Sequence, residues 1–111
     1  MNGSSATTAV MTGTRYVGAG EAAVIEQTGM VPNTNAAGAL KQVFYTPESP
    51  LTSASAAQEA YQLPSTPTHA GELDTSAVHN TYGGNVENGT GIELITEDPI
   101  PATKITKLDP K

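Results

Sequence analysis

The residues of this chain best suited to chemistry begin with its only arginine, Arg15, which lies among the strand-forming residues 14–17. A long charged side chain is costly to bury within a strand, so Arg15 predicts an anionic partner such as a diphosphate or a carboxylate. The alternative is an exposed arginine paired with one of the eleven acidic residues of the chain, an arrangement that contributes little to stability. The sequence leaves both interpretations open.

The second candidate is Glu93, in the apolar strand pattern of residues 92–96. Alternation along a strand predicts that Glu93 lies on the face opposite Ile92 and Leu94. The strand follows residues 80–91, which contain four glycines and three asparagines. We predict a loop there, and a loop of this length in so small a domain is usually functional or disordered. A carboxylate at this point would lie at the mouth of a cleft. The alternative is a solvent-facing glutamate on an edge strand.

His69 and His79 are the only residues whose unperturbed side chains titrate near neutral pH. A pair of histidines could perform acid–base chemistry on RNA. Their spacing matches no metal motif, and the sequence predicts no metal site. Ordinary surface histidines are the alternative.

Composition narrows the classes of protein to which the chain can belong. A chain of 111 residues without cysteine has room for one domain and excludes disulfide scaffolds and thiolate chemistry. The net charge of −6 argues against nucleic-acid and anionic-lipid partners, which leaves a protein or a small molecule. No apolar run approaches the roughly 20 residues that cross a membrane, and the start lacks the pattern of a signal peptide. We therefore expect another segment to carry the domain if it is secreted.

Turn and helix signals divide the chain into short elements. We predict a flexible linker over residues 1–13 and a single domain over 14–111, of the α+β class, with a small mixed or antiparallel sheet and two short helices packed on it. A glycine at position 29 ends the first helix, and a capping box that starts at Ser55 begins the second. The predicted strands are 14–17, 42–46, 68–78, 92–96 and 103–108, with 42–46 central, and the predicted helices are 21–28 and 55–62.

Several of these pieces, taken in order, resemble a known family. They are Arg15-Tyr16-Val17, the helix ending at Thr28-Gly29, Val43-Phe44-Tyr45-Thr46-Pro47, the Ser/Ala-rich second helix, Gly83-Gly84 with Gly89-Thr90-Gly91-Ile92-Glu93, and the closing strand. Over about residues 14–109 the chain resembles the ADP-ribosyltransferase toxin domains at the C-termini of Rhs-type polymorphic toxins of bacteria. The resemblance implies two small sheets that form a split cleft.

The resemblance also implies a role for each matching residue. Arg15 would bind the phosphates or ribose of NAD, the cofactor, and Tyr16 would follow it as an aromatic residue often does in the family. Tyr45 would bring its ring near nicotinamide, and the hydroxyl of Thr46 would support the site. Glu93 would be catalytic: it would hold a hydroxyl of the nicotinamide ribose and stabilise the oxocarbenium-like charge that develops as nicotinamide leaves.

The chain departs from the family pattern at two points. Many relatives have an acidic residue or glutamine two positions before the catalytic glutamate, where this chain has Gly91. The Ser-Thr-Ser triplet of the family is represented only by Phe44-Tyr45-Thr46. The first departure leaves the acceptor, and the atom modified on it, open.

The resemblance also implies partners and a location. It implies a cognate immunity protein that plugs the cleft, and an acceptor in the translation machinery, such as elongation factor Tu or ribosomal RNA. The domain would act as a monomer, without a membrane partner, in interbacterial competition. A larger protein would deliver it to the cytoplasm of the target bacterium.

Two other functions compete with this interpretation. One is an RNase toxin in which His69 or His79 acts with Arg15 and Thr46, against which the charge of −6 argues. The other is a non-catalytic binding module, for which the substitution Glu93→Gln would change nothing measurable.

Overall fold

Residues 11–80 and 82–111, the part of the chain that the computed structural model describes, form seven strands and two helices. Each pair of neighbouring strands is antiparallel, so the predicted α+β class with two short helices is confirmed. The strands are β1 (Thr12–Val17), β2 (Met30–Val31), β3 (Val43–Tyr45), β4 (His69–Asp74), β5 (Tyr82–Asn85), β6 (Ile92–Thr96) and β7 (Ile100–Lys107), and the helices are α1 (Ala19–Thr28) and α2 (Ala54–Tyr61).

The larger sheet has four strands in the order β1-β4-β7-β2. Leu73 of β4 and Ile100 of β7 are fully buried, and Ile25 of α1 packs into the same cluster. Burial of each such aliphatic side chain stabilises the fold by about 1.5–3 kcal/mol relative to leaving it exposed. This cluster is the main core of the domain.

The smaller sheet has three strands in the order β3-β6-β5. It shares the main core, because Val43 and Tyr45 of β3 belong to the same buried cluster. A two-way backbone contact joins the sheets: Thr14 N donates to Thr46 O at 2.7 Å, and Thr46 N donates to Thr14 O at 2.8 Å. The two sheets therefore meet where β1 approaches the end of β3.

The helices begin and end at identifiable residues. Helix α1 ends at Gly29, whose φ of 73° is left-handed and whose N–H donates to Ile25 O, as the sequence predicts. Helix α2 is capped by Ser53, whose Oγ accepts from Ala56 N at 3.3 Å. The predicted capping box at Ser55 is therefore displaced by two residues, because a serine at either position fits the cap pattern and Ser53 is the one with extended backbone.

The prediction of a loop over residues 80–91 is wrong for the part of the segment that forms a strand. Strand β5 occupies four of these positions and forms a hairpin with β6. Val86 N donates to Gly91 O at 2.9 Å, which closes the turn. A glycine can occupy a strand without packing a side chain, and backbone pairing with β6 is enough to order the segment.

Other boundaries also differ from the prediction. Strand β1 begins at Thr12, within the segment predicted as a linker; residues 1–10 of that segment lie outside the described residues. Strand β3 is at an edge of the smaller sheet rather than central, although its end contacts β1. The short β2 falls in a segment whose turn residues do not predict a strand.

Candidate functional site

A cleft opens where the two sheets meet. It consists of a pocket of about 460 Å³ and an adjoining pocket of about 70 Å³. The smaller pocket is lined by all five of the predicted site residues, Arg15, Tyr16, Tyr45, Thr46 and Glu93. We call the two pockets together the intersheet cleft; both are lined by Arg15, Tyr16, Phe44, Tyr61, Leu63 and Glu93.

Arg15 has a carboxylate partner inside this cleft. Its Nε lies 2.5 Å from Glu21 Oε2 and its Nη2 lies 3.0 Å from Glu21 Oε1. Its Nη1 donates to Phe44 O at 2.8 Å. The Arg15 and Glu21 side chains are only 17% and 22% exposed, so this is not a solvated surface pair. Of the five N–H groups of a guanidinium, three are engaged by described residues.

Glu93 lies on the central strand of the smaller sheet, which excludes the alternative of an edge strand. Its neighbour Leu94 packs against the main core, so strand alternation turns Glu93 toward the cleft, as predicted. Gly84 is its partner on β5, and a Cβ added there would meet nothing within 4 Å. The carboxylate therefore has open space beside it.

The two aromatic residues of β3 face opposite ways. The ring of Tyr45 is 5% exposed, and its hydroxyl donates to Asn80 Oδ1 at 2.5 Å. Burial raises the pKa of Tyr45 despite that hydrogen bond. Phe44 is 44% exposed and lines both pockets. Alternation along β3 places Phe44 on the same face of the sheet as Glu93, and this alternation can be read from the sequence.

Two further aromatic residues, Tyr16 and Tyr61, line both pockets of the cleft. The rings of Tyr16 and Tyr61 have centroids 5.3 Å apart and are tilted by 30°. The Tyr16 hydroxyl accepts from Leu51 N at 2.8 Å, and burial raises the pKa of Tyr16. Burial is also the main cause that raises the pKa of Tyr61 to about 12. Both hydroxyls are therefore neutral at physiological pH.

Glu48 is a residue that the sequence does not single out, and it connects groups beside the cleft by hydrogen bonds. Its Oε1 accepts from Ile92 N at 2.9 Å, from Tyr61 Oη at 2.8 Å and from Thr46 Oγ1 at 3.3 Å. These bonds lower the pKa of Glu48, and the Ile92 N–H is the largest cause. Thr46 lines the smaller pocket but is only 2% exposed, and its hydroxyl is bonded to Glu48.

Gly91 is enclosed by Tyr61 and the end of α2. A Cβ at Gly91 would overlap the ring of Tyr61. Gly91 N also donates to Ala60 O at 2.9 Å, which fixes the backbone against the end of α2. A longer acidic side chain does not fit at this position while Tyr61 lines the cleft.

The histidines lie elsewhere. His69 Nδ1 is 2.7 Å from Thr68 Oγ1, and His79 N donates to Asp98 Oδ2 at 2.7 Å. Neither histidine lines either pocket of the intersheet cleft. Across residues 11–80 and 82–111, no group of three His, Asp or Glu side chains is close enough to hold a metal ion. In that same part of the chain, no helix is long and apolar enough to cross a membrane.

No protein-family model, curated protein or solved structure matches this chain. The arrangement itself offers one guanidinium, an exposed phenyl ring and a carboxylate with open space beside it. Such a set can bind an anionic group, stack a planar ring and stabilise a developing positive charge.

Proposed function

We propose that this domain is an ADP-ribosyltransferase toxin that transfers ADP-ribose from NAD to a macromolecule. The observation that carries the proposal is the convergence of Arg15, Tyr16 and Glu93 on one cleft between two sheets. They come from β1 and β6, which are distant in sequence and belong to different sheets. The larger pocket, at about 460 Å³, is within the usual size of small-molecule sites.

The chemistry required is modest and fits the residues present. The bond between ribose C1′ and the nicotinamide nitrogen breaks, and its electron pair leaves with nicotinamide. A nucleophile of the acceptor then bonds to C1′ and gives up its proton. Glu93 stabilises the positive charge on the ribose between these events and holds a ribose hydroxyl. Phe44, rather than the buried Tyr45, supplies the ring that stacks on nicotinamide.

Arg15 orients the diphosphate of NAD. Glu21 and Phe44 O occupy three of its N–H groups, and the other two have no partner among the described residues. Two N–H groups of one guanidinium suit a bidentate contact with phosphate oxygens.

The proposal includes two protein or nucleic-acid partners. One is an immunity protein that plugs the cleft. The other is an acceptor, such as elongation factor Tu or ribosomal RNA, in the cytoplasm of a target bacterium. Delivery by a larger protein belongs to the same proposal.

The test is transfer of label to a bacterial lysate from NAD that carries a tag on its adenylate. We expect labelled acceptor with the wild type and none with Glu93→Gln, which keeps the size of the side chain and removes its charge. The matched control is Glu97→Gln, because Glu97 is exposed and lines neither pocket. It should label as the wild type does.

The same experiment separates the competing functions. Toxicity without label, abolished by the double substitution His69→Ala and His79→Ala, would replace the proposal with an RNase. Neither label nor toxicity, and identical behaviour of the Glu93→Gln variant, would indicate a binding module.

A further inference from the structure

The charge inside the intersheet cleft is the opposite of what a site for phosphates usually has. Its lining residues include one cation, Arg15, and two carboxylates, Glu21 and Glu93. Glu48 lines neither pocket but adds a third carboxylate close by, because its Oε1 accepts from Tyr61 Oη at 2.8 Å. These carboxylates oppose each further negative charge that a ligand brings into the cleft.

The ion pair between Arg15 and Glu21 makes this effect strongest where a phosphate would bind. Both oxygens of Glu21 contact the guanidinium, at 2.5 and 3.0 Å. The pair is mostly shielded from water, so the opposing charge of Glu21 is screened only weakly. An anion that displaced Glu21 would leave that carboxylate beside the anion without its partner. A ligand must therefore bind to Arg15 while Glu21 stays in place.

We propose that Glu21 sets the charge limit of the cleft, so that it accepts diphosphate diesters and rejects free terminal phosphates. This inference rests on the proposed function, since it concerns the phosphate end of the same site. In a diester such as ADP-ribose each phosphate carries one negative charge. A free terminal phosphate gains a second charge near neutral pH, because its second pKa is about 6. This second negative charge would lie next to the Glu21 carboxylate, which repels it, and a free terminal phosphate is therefore excluded.

ADP-ribose and ADP form a matched pair of probes. Both carry adenosine and a diphosphate, and ADP has the additional charge at its free end. We expect the wild type to bind ADP-ribose at least about 10-fold more tightly than ADP in calorimetric titrations at low salt, which is the size of effect expected for one weakly screened charge. In Glu21→Gln this ratio should fall to about 3-fold or less, chiefly because ADP binds better.

Three variants make the test specific. Glu21→Gln keeps an amide oxygen that accepts from Arg15, so we expect this variant to retain the fold. Thermal unfolding of the variant checks this. Glu26→Gln is the matched control, because Glu26 is an exposed residue of the same helix outside the cleft, and it should keep the wild-type ratio. Addition of Arg15→Gln to Glu21→Gln should remove the gain in ADP binding.

Inorganic pyrophosphate distinguishes failure of this inference from failure of the proposed function. If the wild type binds no nucleotide, the proposed function fails, and pyrophosphate still tests Glu21. Glu21→Gln should then bind pyrophosphate at least about 10-fold more tightly than the wild type, and only with Arg15 present. An unchanged ratio of the two nucleotides, or a gain that survives the loss of Arg15, would overturn the role of Glu21.

Discussion

Glu48 connects three parts of the molecule through one oxygen atom: the backbone at the start of β6, the Tyr61 hydroxyl and the Thr46 hydroxyl. Hydrogen bonds to a charged acceptor are stronger than neutral ones. Loss of this acceptor leaves donors unsatisfied near the base of the cleft. Glu48 is therefore a structural support for Glu93, which follows Ile92 directly in the chain.

We expect Glu48→Ala to lower the free energy of unfolding by about 1–3 kcal/mol, as for other partly buried donors that lose a charged acceptor. Glu48→Gln should lose less, because its amide oxygen still accepts from Ile92 N and Tyr61 Oη. Urea denaturation measures both. Glu59→Ala, at an exposed position of α2, is the control and should cost little. Equal stability of Glu48→Ala and the wild type would contradict the supporting role.

The lowered pKa of Glu48 makes its contribution depend on pH. A carboxyl whose pKa is lower in the folded state stabilises the fold above its ordinary pKa of 4.5 and loses that effect as the pH falls through the folded value. The stability advantage of the wild type over Glu48→Gln should therefore be full near neutral pH and shrink below pH 4.5. A difference that stays constant with acidification would show that charge is not the cause.

Tyr61 has the opposite dependence on pH. Its pKa is raised from 10.0 to about 12, so the stabilisation is complete below pH 10 and is lost as the pH rises toward 12. Tyr61→Phe should lose less stability than the wild type over that interval, measured by denaturation at a series of alkaline pH values. Phenolate absorbance should show one fewer late-titrating tyrosine. An identical alkaline profile for the variant would assign the loss to another group.

At this scale the sequence predicted the residues that converge on the cleft but not their neighbours. Arg15 and Glu93 stand out by type and by strand alternation. No local sequence pattern predicts the contact of Glu21 with Arg15, because that contact depends on how α1 packs beside β1. Glu48 lies in a loop after Pro47, where no periodicity reports on burial or partners.

Among the elements, the β5–β6 hairpin contains two glycines, Gly84 and Gly89, whose surroundings differ. A Cβ at Gly89 would overlap the backbone oxygen of Ala60, and a backbone atom at the end of a helix moves only with the helix. A Cβ at Gly84 would meet nothing within 4 Å. The hairpin therefore has no room for a side chain at Gly89 but has room for one at Gly84.

We expect Gly89→Ala to destabilise the domain by about 1–3 kcal/mol, as overpacking typically does. Gly84→Ala should be neutral or slightly stabilising, since alanine loses less backbone freedom than glycine on folding. Thermal unfolding of the two variants compares them directly. If both behaved alike, the contact between the hairpin turn and α2 would not matter for stability.

The elements also show where sequence patterns stop being informative. The apolar runs of β3 and β6 were predicted because packing against the core requires them. Strand β5 has the sequence Tyr-Gly-Gly-Asn and is exposed throughout, so its pairing partner defines it and its own composition does not. The same holds for β2, two residues that pair with β7. The local pattern favours Ser55, which has Gln58 three residues later, but Ser53 is the cap, and backbone and side-chain contacts with the C-terminal residues hold this end of the helix.

For the whole molecule, the important property is that one core serves both sheets. Leu73 of the larger sheet and Val43 of the smaller sheet are fully buried in the same cluster, and Thr14 and Thr46 join the sheets through their backbones. A cleft built from both sheets keeps its shape only while the two stay together. Cooperative unfolding of the sheets is therefore expected.

Leu73→Ala tests this at a core residue that lines neither pocket of the intersheet cleft. A fully buried leucine replaced by alanine lowers the free energy of unfolding by about 2–5 kcal/mol. Hydrogen exchange should show protection falling by the same amount in β6 as in β4, because both open in the same global event. Val24→Ala, at a half-exposed position of α1, should leave both unchanged. Loss of protection in β4 alone would mean that the smaller sheet is stable by itself, and Glu93 would then keep its place without a fixed distance to Arg15.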